Sequence, residues 1–344
     1  MILKFLTTIF LVFTTAYAQA QPVNLPDMIT KVAAETSYLA FGDPDHNHLD
    51  PYKLVSRPDI LAALANQNYR AIAIEAPLHV QKLIDAYHGG QISRTAFIHA
   101  ADKFFDNAFV DDGLYLGLLA DLIDRAKPLK ITIHAVDSAP GLLSRENAAA
   151  FHDLTGKIAL SWAVALTKNP KILQQSAGAQ QQALAAAMAT DGQAYFAMVK
   201  REQAAQQKLI ARGDITLRYQ HDRETAQRIK ALARGNNKVA LIYGNLHLER
   251  NKNDRMNGDI DHHLGEDKVT TINVYYDLEI YKSGNDGELW RRMADPKSQA
   301  LFPEEAPLWE KLRSVADRPE YELDLKSGTW LDWGAKKATL VSLP

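Results

Sequence analysis

Acidic and imidazole side chains follow four predicted β-strands of this 344-residue sequence at the points where the strands end. The residues in these positions are Asp43, Asp45, His46, His48, Asp50, Glu75, His134, Asp137 and His247. Carboxylates and imidazoles transfer protons and bind metal ions, and the sequence has no cysteine that could do so instead. Ligands of an open parallel sheet bind outside the carboxyl ends of its strands. We therefore expect one site, built from oxygen and imidazole groups, at this edge of the sheet.

Glu75 directly follows the apolar run 71–74, so its backbone leaves the protein core at this residue. A carboxylate at such depth is costly unless it is paired, bound to a metal or protonated. A carboxyl group in such a position is suited to act as a general acid or a general base. The alternative is a structural carboxylate that caps the helix expected to begin at Pro77.

Three histidines are candidates for the same site. His46 lies in a turn that Gly42 and Pro44 make tight, which brings the chain close to a ligand. His48 follows His46 by two residues, and two histidines at this spacing bind one metal only from a loop or a strand. The alternative interpretation of His48 is an exposed side chain without a role in the site. His247 follows a buried strand and is a candidate metal ligand or base, and its alternative is a core histidine bonded to a carbonyl.

The candidate catalytic residues, which are also the candidate ligands of a divalent metal, are Asp43, His46, Glu75 and His247. Such nitrogen and oxygen ligands accept Zn, Mn, Co or Fe. The residues expected to surround them are Asp45, His48, Asp137, His221, Asp222 and Arg223. Asp137 is in a position to orient an imidazole. The alternative for Asp222 is the N-cap of a helix expected over residues 224–233.

The elements that must position these residues alternate along the chain. Strands are expected at 37–41, 71–74, 130–136, 238–243 and 269–275, and helices at 58–67, 78–87, 113–125 and 224–233. Near-continuous apolar strands that alternate with helices predict an α/β fold with a mostly parallel sheet flanked by helices. Residues 145–212 are rich in Ala and Gln and predict a helical insertion, either a hairpin packed on the core or a lid. Residues 283–344 are expected to be an irregular tail, in which Tyr321–Leu325 is a candidate strand.

The composition is that of a globular protein, with 47% hydrophobic residues and a net charge of −2, so no basic excess points to nucleic acid. Residues 1–20 resemble an export signal, because Lys4 precedes the apolar run 5–13 and small residues follow at 16, 18 and 20. The alternative is an uncleaved N-terminal anchor. We expect a periplasmic or secreted protein without stable membrane insertion, in which residues 21–344 form a single domain.

Three segments, in their order along the chain, resemble the motifs of one superfamily. It groups the erythromycin esterases, the ChaN haem-binding lipoproteins, and the Tiki and TraB proteins. The segment Phe41–His46 looks like the first motif, a glycine and an acid followed by a histidine. The apolar strand that ends in Glu75 looks like the second motif, and Ala240–His247 looks like the Gly-x-x-His motif.

A fourth segment, His221–Ile229, resembles the start of a helix in this superfamily, with His221 in place of an arginine and Thr225 in place of a methionine. Arg223 is a candidate for the missing cation, and Asp43 stands where glutamate is more usual. The resemblance spans about residues 36–275 and implies an α/β core with its site at the strand ends. It does not define the activity, because members of the superfamily differ in chemistry.

Three functions agree with these observations. The first is an exported hydrolase of esters or amides, which uses either a metal-bound water or a metal-free mechanism with His46 or Glu75 as base and His247 as oxyanion stabiliser. The second is a haem- or iron-binding protein, as the resemblance to ChaN implies. The third is a secreted effector or toxin. The expected partner is a small molecule or a peptide rather than nucleic acid, and the sequence leaves the oligomeric state open.

Overall fold

The computed structural model describes residues 23–43, 49–104, 112–137, 145–188, 191–210, 216–244, 247–248, 260–265, 268–275, 321–332 and 337–342. The described strands are β1 (Val23–Asn24), β2 (Tyr38–Asp43), β3 (Tyr69–Pro77), β4 (Thr132–Asp137), β5 (Lys238–Gly244), β6 (Val269–Tyr275), β7 (Tyr321–Asp324), β8 (Thr329–Asp332) and β9 (Lys337–Ser342). They form one sheet in the order β1-β9-β8-β7-β6-β2-β5-β3-β4. From β7 to β4 all neighbours are parallel, which confirms the predicted α/β fold.

The described helices are α1 (Leu25–Glu35), α2 (Asp50–Val55), α3 (Pro58–Asn66), α4 (Gln81–His88), α5 (Arg94–Phe104), α6 (Asp112–Ala126), α7 (Arg145–Lys168), α8 (Ala177–Met188), α9 (Asp191–Ile210), α10 (Thr216–Leu232) and α11 (Ile260–Leu264). Short 3-10 helices lie at Leu78–Val80, Lys127–Leu129 and Pro170–Gln174. No helix in these ranges is long and apolar enough to cross a membrane.

Helices cover both faces of the sheet because successive strand residues point to opposite sides. In β2, Leu39 and Phe41 pack in one core with helices α1 to α7, and Tyr38 and Ala40 pack in a second core. The second core contains Ile229 of α10 together with residues of α11. Strands buried on both faces explain the near-continuous apolar runs in the sequence.

The predicted helical insertion is present as α7, α8 and α9, between β4 and α10. Helix α7 buries Ile158, Trp162 and Leu166 in the first core, as a helix packed on the domain does. Its Gly156 passes so close to the 3-10 turn after β3 that an added Cβ would lie 3.0 Å from the backbone oxygen of His79.

The structure differs from the sequence prediction at two elements. The tail predicted to be irregular contains β7, β8 and β9, of which β7 and β8 form a hairpin whose turn includes Gly328 at φ +65°. The candidate strand Tyr321–Leu325 is present as β7, while β8 and β9 are only four and six residues long, so their alternation is too brief to recognise. Helix α10 begins at Thr216 rather than near 224, and the sequence prediction stopped short because residues 216–223 show no apolar stripe.

A side chain covers the exposed edge of β4, the last strand of the sheet. The Gln81 amide oxygen accepts a hydrogen bond from Ala135 N at 2.7 Å, and its nitrogen donates to Ile133 O at 3.2 Å. This amide thereby takes the place of a further strand. Unpaired edge groups of a sheet otherwise invite pairing with another chain.

Candidate functional site

The strand register brings the predicted acids to one edge of the sheet. Asp43 of β2 lies beside Gly244 of β5, and Asp137 of β4 lies beside Pro77 of β3. Glu75 precedes Pro77 by two residues, and both Asp43 and Asp137 are buried. The carboxyl ends of four strands therefore lie together at one edge of the sheet, where we expect the site.

Glu75 binds the neighbouring strand. Its Oε2 accepts a hydrogen bond from Gly244 N at 2.6 Å. Glu75 is not the helix cap that the sequence offered as its alternative, because no side chain caps the 3-10 helix at Leu78–Val80. Glu75 thus fixes the backbone of β5 at the point where the chain leaves the sheet toward His247.

His247 forms a carboxylate–imidazole pair with Asp222. His247 Nδ1 and Asp222 Oδ1 are 2.6 Å apart, and the Asp222 side chain is fully buried while that of His247 is 22% exposed. Asp222 lies inside α10 and is not the N-cap that the sequence offered as its alternative. A carboxylate that accepts from Nδ1–H leaves Nε2 as the basic nitrogen of a neutral imidazole.

His221 forms a second pair, with Asp137. His221 Nε2 lies 2.7 Å from Asp137 Oδ1, and both side chains are about 10% exposed. Burial lowers the pKa of His221, but the charge and hydrogen bond of Asp137, with the charges of Asp222 and Glu75, raise it to about 9. His221 is therefore an imidazolium at neutral pH.

The two pairs are neighbours. The ring centroids of His221 and His247 are 6.0 Å apart, and the Tyr243 ring lies edge-on to His247 at 5.3 Å. The Tyr243 hydroxyl is 3.5 Å from His221 Nε2. Burial and the charges of Asp137, Glu75 and Asp222 raise the pKa of Tyr243, which keeps this phenol protonated.

The sequence interpretation missed two buried tyrosines on the opposite face of the sheet. The hydroxyls of Tyr52 in α2 and Tyr115 in α6 are 3.1 Å apart. Burial raises the pKa of both phenols, and the charges of Glu75 and Asp43 raise it further. A tyrosine in an amphipathic helix reads as ordinary core, so no signal in the sequence distinguished them.

A buried histidine pair was also missed. His79, just after β3, lies with its Nδ1 3.1 Å from Nδ1 of His152 in α7, and its Nε2 is 2.8 Å from Phe104 O. Burial and the charge of His152 lower the pKa of His79 to about 4. This pair joins the first insertion helix to the segment that follows Glu75.

The remaining candidates are placed elsewhere or fall outside the described ranges. Arg223 is an exposed residue of α10. Its charge adds to burial in lowering the pKa of His263. Asp45, His46 and His48 lie in 44–48, outside the described residues.

The structure describes only part of the predicted metal-ligand set, because His46 lies outside the described residues. Within the described ranges, no group of three or more His, Asp and Glu side chains is arranged to hold a metal ion. Glu75 Oε2 and His247 Nδ1 form hydrogen bonds, and the bond at Nδ1 leaves Nε2 as the His247 nitrogen that faces a ligand.

No protein-family model and no curated protein matches the chain. Solved structures that match the chain include ChaN of Campylobacter jejuni, in a structure of cofacial haem binding, at 14% identity. That match covers 74% of this chain and 87% of ChaN, with a TM-score of 0.36. The erythromycin esterase EreC matches at 12% identity over 72% of each chain, with a TM-score of 0.32.

The type III effector HopBA1 matches at 12% identity over 74% of this chain and 86% of that one, with a TM-score of 0.35. All these TM-scores are below 0.5, and neither activity nor ligand follows from likenesses of this degree.

Proposed function

We propose that this chain is a hydrolase of ester or amide bonds. The observation that carries the proposal is the His247–Asp222 pair, a partly exposed imidazole whose Nδ1 is held at 2.6 Å by a fully buried carboxylate. This is the arrangement of a general base oriented by an acid. The imidazolium of His221 stands beside it.

The chemistry follows from the charges of these groups. His247 Nε2 takes a proton from water, and the resulting hydroxide adds to the substrate carbonyl carbon. Asp222 stabilises the imidazolium that forms, and the positive charge of His221 stabilises the developing oxyanion. The tetrahedral intermediate then expels the leaving group, which receives the proton from His247.

The structure favours His247 over Glu75 as the base. Glu75 Oε2 is engaged with Gly244 N, so Glu75 acts by positioning the chain that leads to His247. All steps of this mechanism use side chains of the protein itself.

Haem binding is a second candidate, which His247 also supports. A histidine whose Nδ1–H is bound by a carboxylate presents Nε2 as a ligand to a metal such as haem iron. Mixing the purified protein with micromolar haemin tests this candidate. A Soret band that shifts in wild type and not in His247→Ala supports haem binding, and an unshifted band contradicts it.

We also propose that the protein is exported, because residues 1–20 resemble an export signal. These residues lie outside the described ranges. We expect N-terminal sequencing of the exported protein to begin after a small residue near position 20. A mature protein that retains Met1 contradicts a cleaved signal.

The hydrolytic function is tested with p-nitrophenyl butyrate and butyryl p-nitroanilide. His247→Ala is expected to lower kcat by about 100-fold or more, the usual contribution of a general base. His99→Ala, at an exposed histidine of α5, is the matched control and retains activity. Wild-type turnover no faster than that of His247→Ala contradicts the proposal for these probes. Repeating the assay after dialysis against EDTA, and again after adding back Zn, Mn, Co or Fe, reports whether a metal contributes.

A further inference from the structure

Asn273 of β6 is a fully buried polar residue. Its exposed fraction is 0%, and neither Oδ1 nor Nδ2 has a hydrogen-bond partner among the residues that the structure describes. Ile272 and Val274 on either side of it are core residues. A buried amide without partners destabilises a fold, and an apolar residue of similar size would avoid that cost.

The register places Asn273 at the edge of the sheet that carries the site. Gly42 of β2 is paired with Asn273 on one side and with Tyr243 of β5 on the other. Residues in register on adjacent parallel strands point to the same face, so the amide and the phenol flank Gly42 on that face. Gly42 contributes no side chain between them. Asp43, the next residue, is one of the site carboxylates.

This face is the one that carries the His247–Asp222 pair. Tyr243 belongs to the second core, with residues of α10 and α11, and its ring contacts His247. Asp222 is a residue of α10. Asn273 therefore lies on the same face of the sheet as the proposed catalytic groups, and only the strand of Gly42 separates it from Tyr243. A polar residue that costs stability at such a place is typical of a functional site.

The chemistry of the amide defines what it can recognise. The Asn273 side chain offers one donor and one acceptor on the same edge, and a primary carboxamide offers the complementary pair on one edge. An ester has no N–H for Oδ1. A buried site that pairs with a substrate N–H discriminates strongly against an analogue without it, because the acceptor would be left unpaired.

We propose that Asn273 recognises a primary carboxamide as the group that the site hydrolyses. This inference rests on the proposed hydrolytic function and names its substrate class. Asn273 Nδ2 donates to the carbonyl oxygen, which becomes the oxyanion when hydroxide adds to the carbonyl carbon, and Oδ1 accepts from the amide N–H. The C–N bond then breaks, and the nitrogen takes the proton held by His247 and leaves as ammonia. The products are a carboxylate and ammonium.

The experiment combines stability with substrate preference in Asn273→Val and Asn273→Leu. Butyramide, followed by ammonia release, is compared with methyl butyrate. We expect both variants to have higher urea midpoints than wild type. We expect kcat/KM for butyramide to fall by about 100-fold or more, the loss typical of a missing oxyanion donor, and the amide-to-ester ratio to fall at least tenfold. Thr271→Val, on the same face two residues earlier, is the control that keeps wild-type preference.

Each alternative outcome has one meaning. Lower urea midpoints in both Asn273 variants show that the amide has a structural partner and overturn the inference. Unchanged butyramide hydrolysis in the variants overturns it as well. A wild type that hydrolyses methyl butyrate and not butyramide overturns the carboxamide assignment while leaving a hydrolase. A wild type inactive on both compounds and on the p-nitrophenyl probes contradicts the proposed function itself, and this inference with it.

Discussion

Raising the pH from 6.5 to 9 is expected to destabilise the protein through His221. Asp137, with Asp222 and Glu75, outweighs burial and raises the pKa of His221 from its usual 6.5 to about 9. Between these values the folded protein holds a proton on His221 that the unfolded chain has lost. The contribution is therefore complete below pH 6.5 and disappears as the pH rises through 9.

The size of the effect follows from the shift. A difference of about 2.5 pKa units, at roughly 1.4 kcal/mol each, is about 3 kcal/mol of unfolding free energy. The His221 side chain is only 10% exposed, so solvent screens its pair with Asp137 weakly. A loss of this size is a large fraction of the stability of an ordinary domain.

Urea unfolding of wild type and His221→Gln at intervals from pH 6 to 9.5 measures this contribution. Wild type should lose stability across the window, and the curve of His221→Gln should be flatter by about 3 kcal/mol over the same range. Asp137→Asn removes the group that contributes most to raising the pKa of His221 and should also flatten the curve. Parallel curves for wild type and both variants would refute the assignment of an imidazolium to His221.

Four further predictions concern the site and the sheet. Asp222→Asn should lower kcat on the ester probe by about 100-fold or more, because the imidazole of His247 loses its orienting acid. Glu75→Leu should lower the unfolding free energy by about 1–3 kcal/mol, and Glu75→Gln by less, because the glutamine oxygen still accepts the backbone hydrogen bond. Gln81→Leu should lower stability by about 1 kcal/mol and promote self-association in analytical ultracentrifugation, because the edge of the sheet loses its cover. Below pH 6.5, wild type should lose stability down to about pH 4, because the buried His79 binds its proton more weakly than in the unfolded chain, and His79→Gln should lose less.

The contrary results are equally specific. Full activity of Asp222→Asn removes the orienting role of the carboxylate. Equal destabilisation by Glu75→Gln and Glu75→Leu shows that the hydrogen bond to the backbone is not what Glu75 provides. If Gln81→Leu stays monomeric with wild-type stability, Gln81 does not protect the edge of the sheet. If His79→Gln loses as much stability as wild type between pH 6.5 and 4, other groups cause that loss.

The core of the sheet could be predicted from the sequence because its strands are buried on both faces. The run before Glu75 and the run 238–243 read as apolar strands without any knowledge of their neighbours. The sequence did indicate β7 as the candidate strand Tyr321–Leu325, whereas β8 and β9 could not be recognised this way, since they are short and gain their stability from pairing with one another and with β7. Such pairing depends on other strands, so the alternation within one short segment does not reveal it.

The candidate site shows the same division. Asp43, Glu75 and Asp137 could be placed at one edge because parallel strands end together, which is a rule of topology. The partners of the two histidines depend on how α10 packs against β4 and β5. No spacing in the sequence therefore indicated that Asp222 holds His247 while Asp137 holds His221.

Asn273 escaped notice for a different reason. A single asparagine in a strand that reads Val269–Tyr275 looks like an interruption of a β pattern, and only its burial and the absence of partners in the described ranges make it informative. The sequence predicts that Gly42, its neighbour across the ladder, belongs to a turn before His46. The structure places it within β2, between an amide and a phenol.

Side-chain nitrogen NMR of the histidines tests the central claim most directly, because it reports the protons on each imidazole. At pH 7.5 the correlation spectrum should show a proton on Nδ1 of His247, and His221 protonated on both nitrogens until the pH approaches 9. The signals are assigned with His247→Ala and His221→Gln. A neutral His221 at pH 7.5, or a His247 that carries its proton on Nε2, would contradict the two carboxylate–imidazole pairs on which the proposed hydrolase depends.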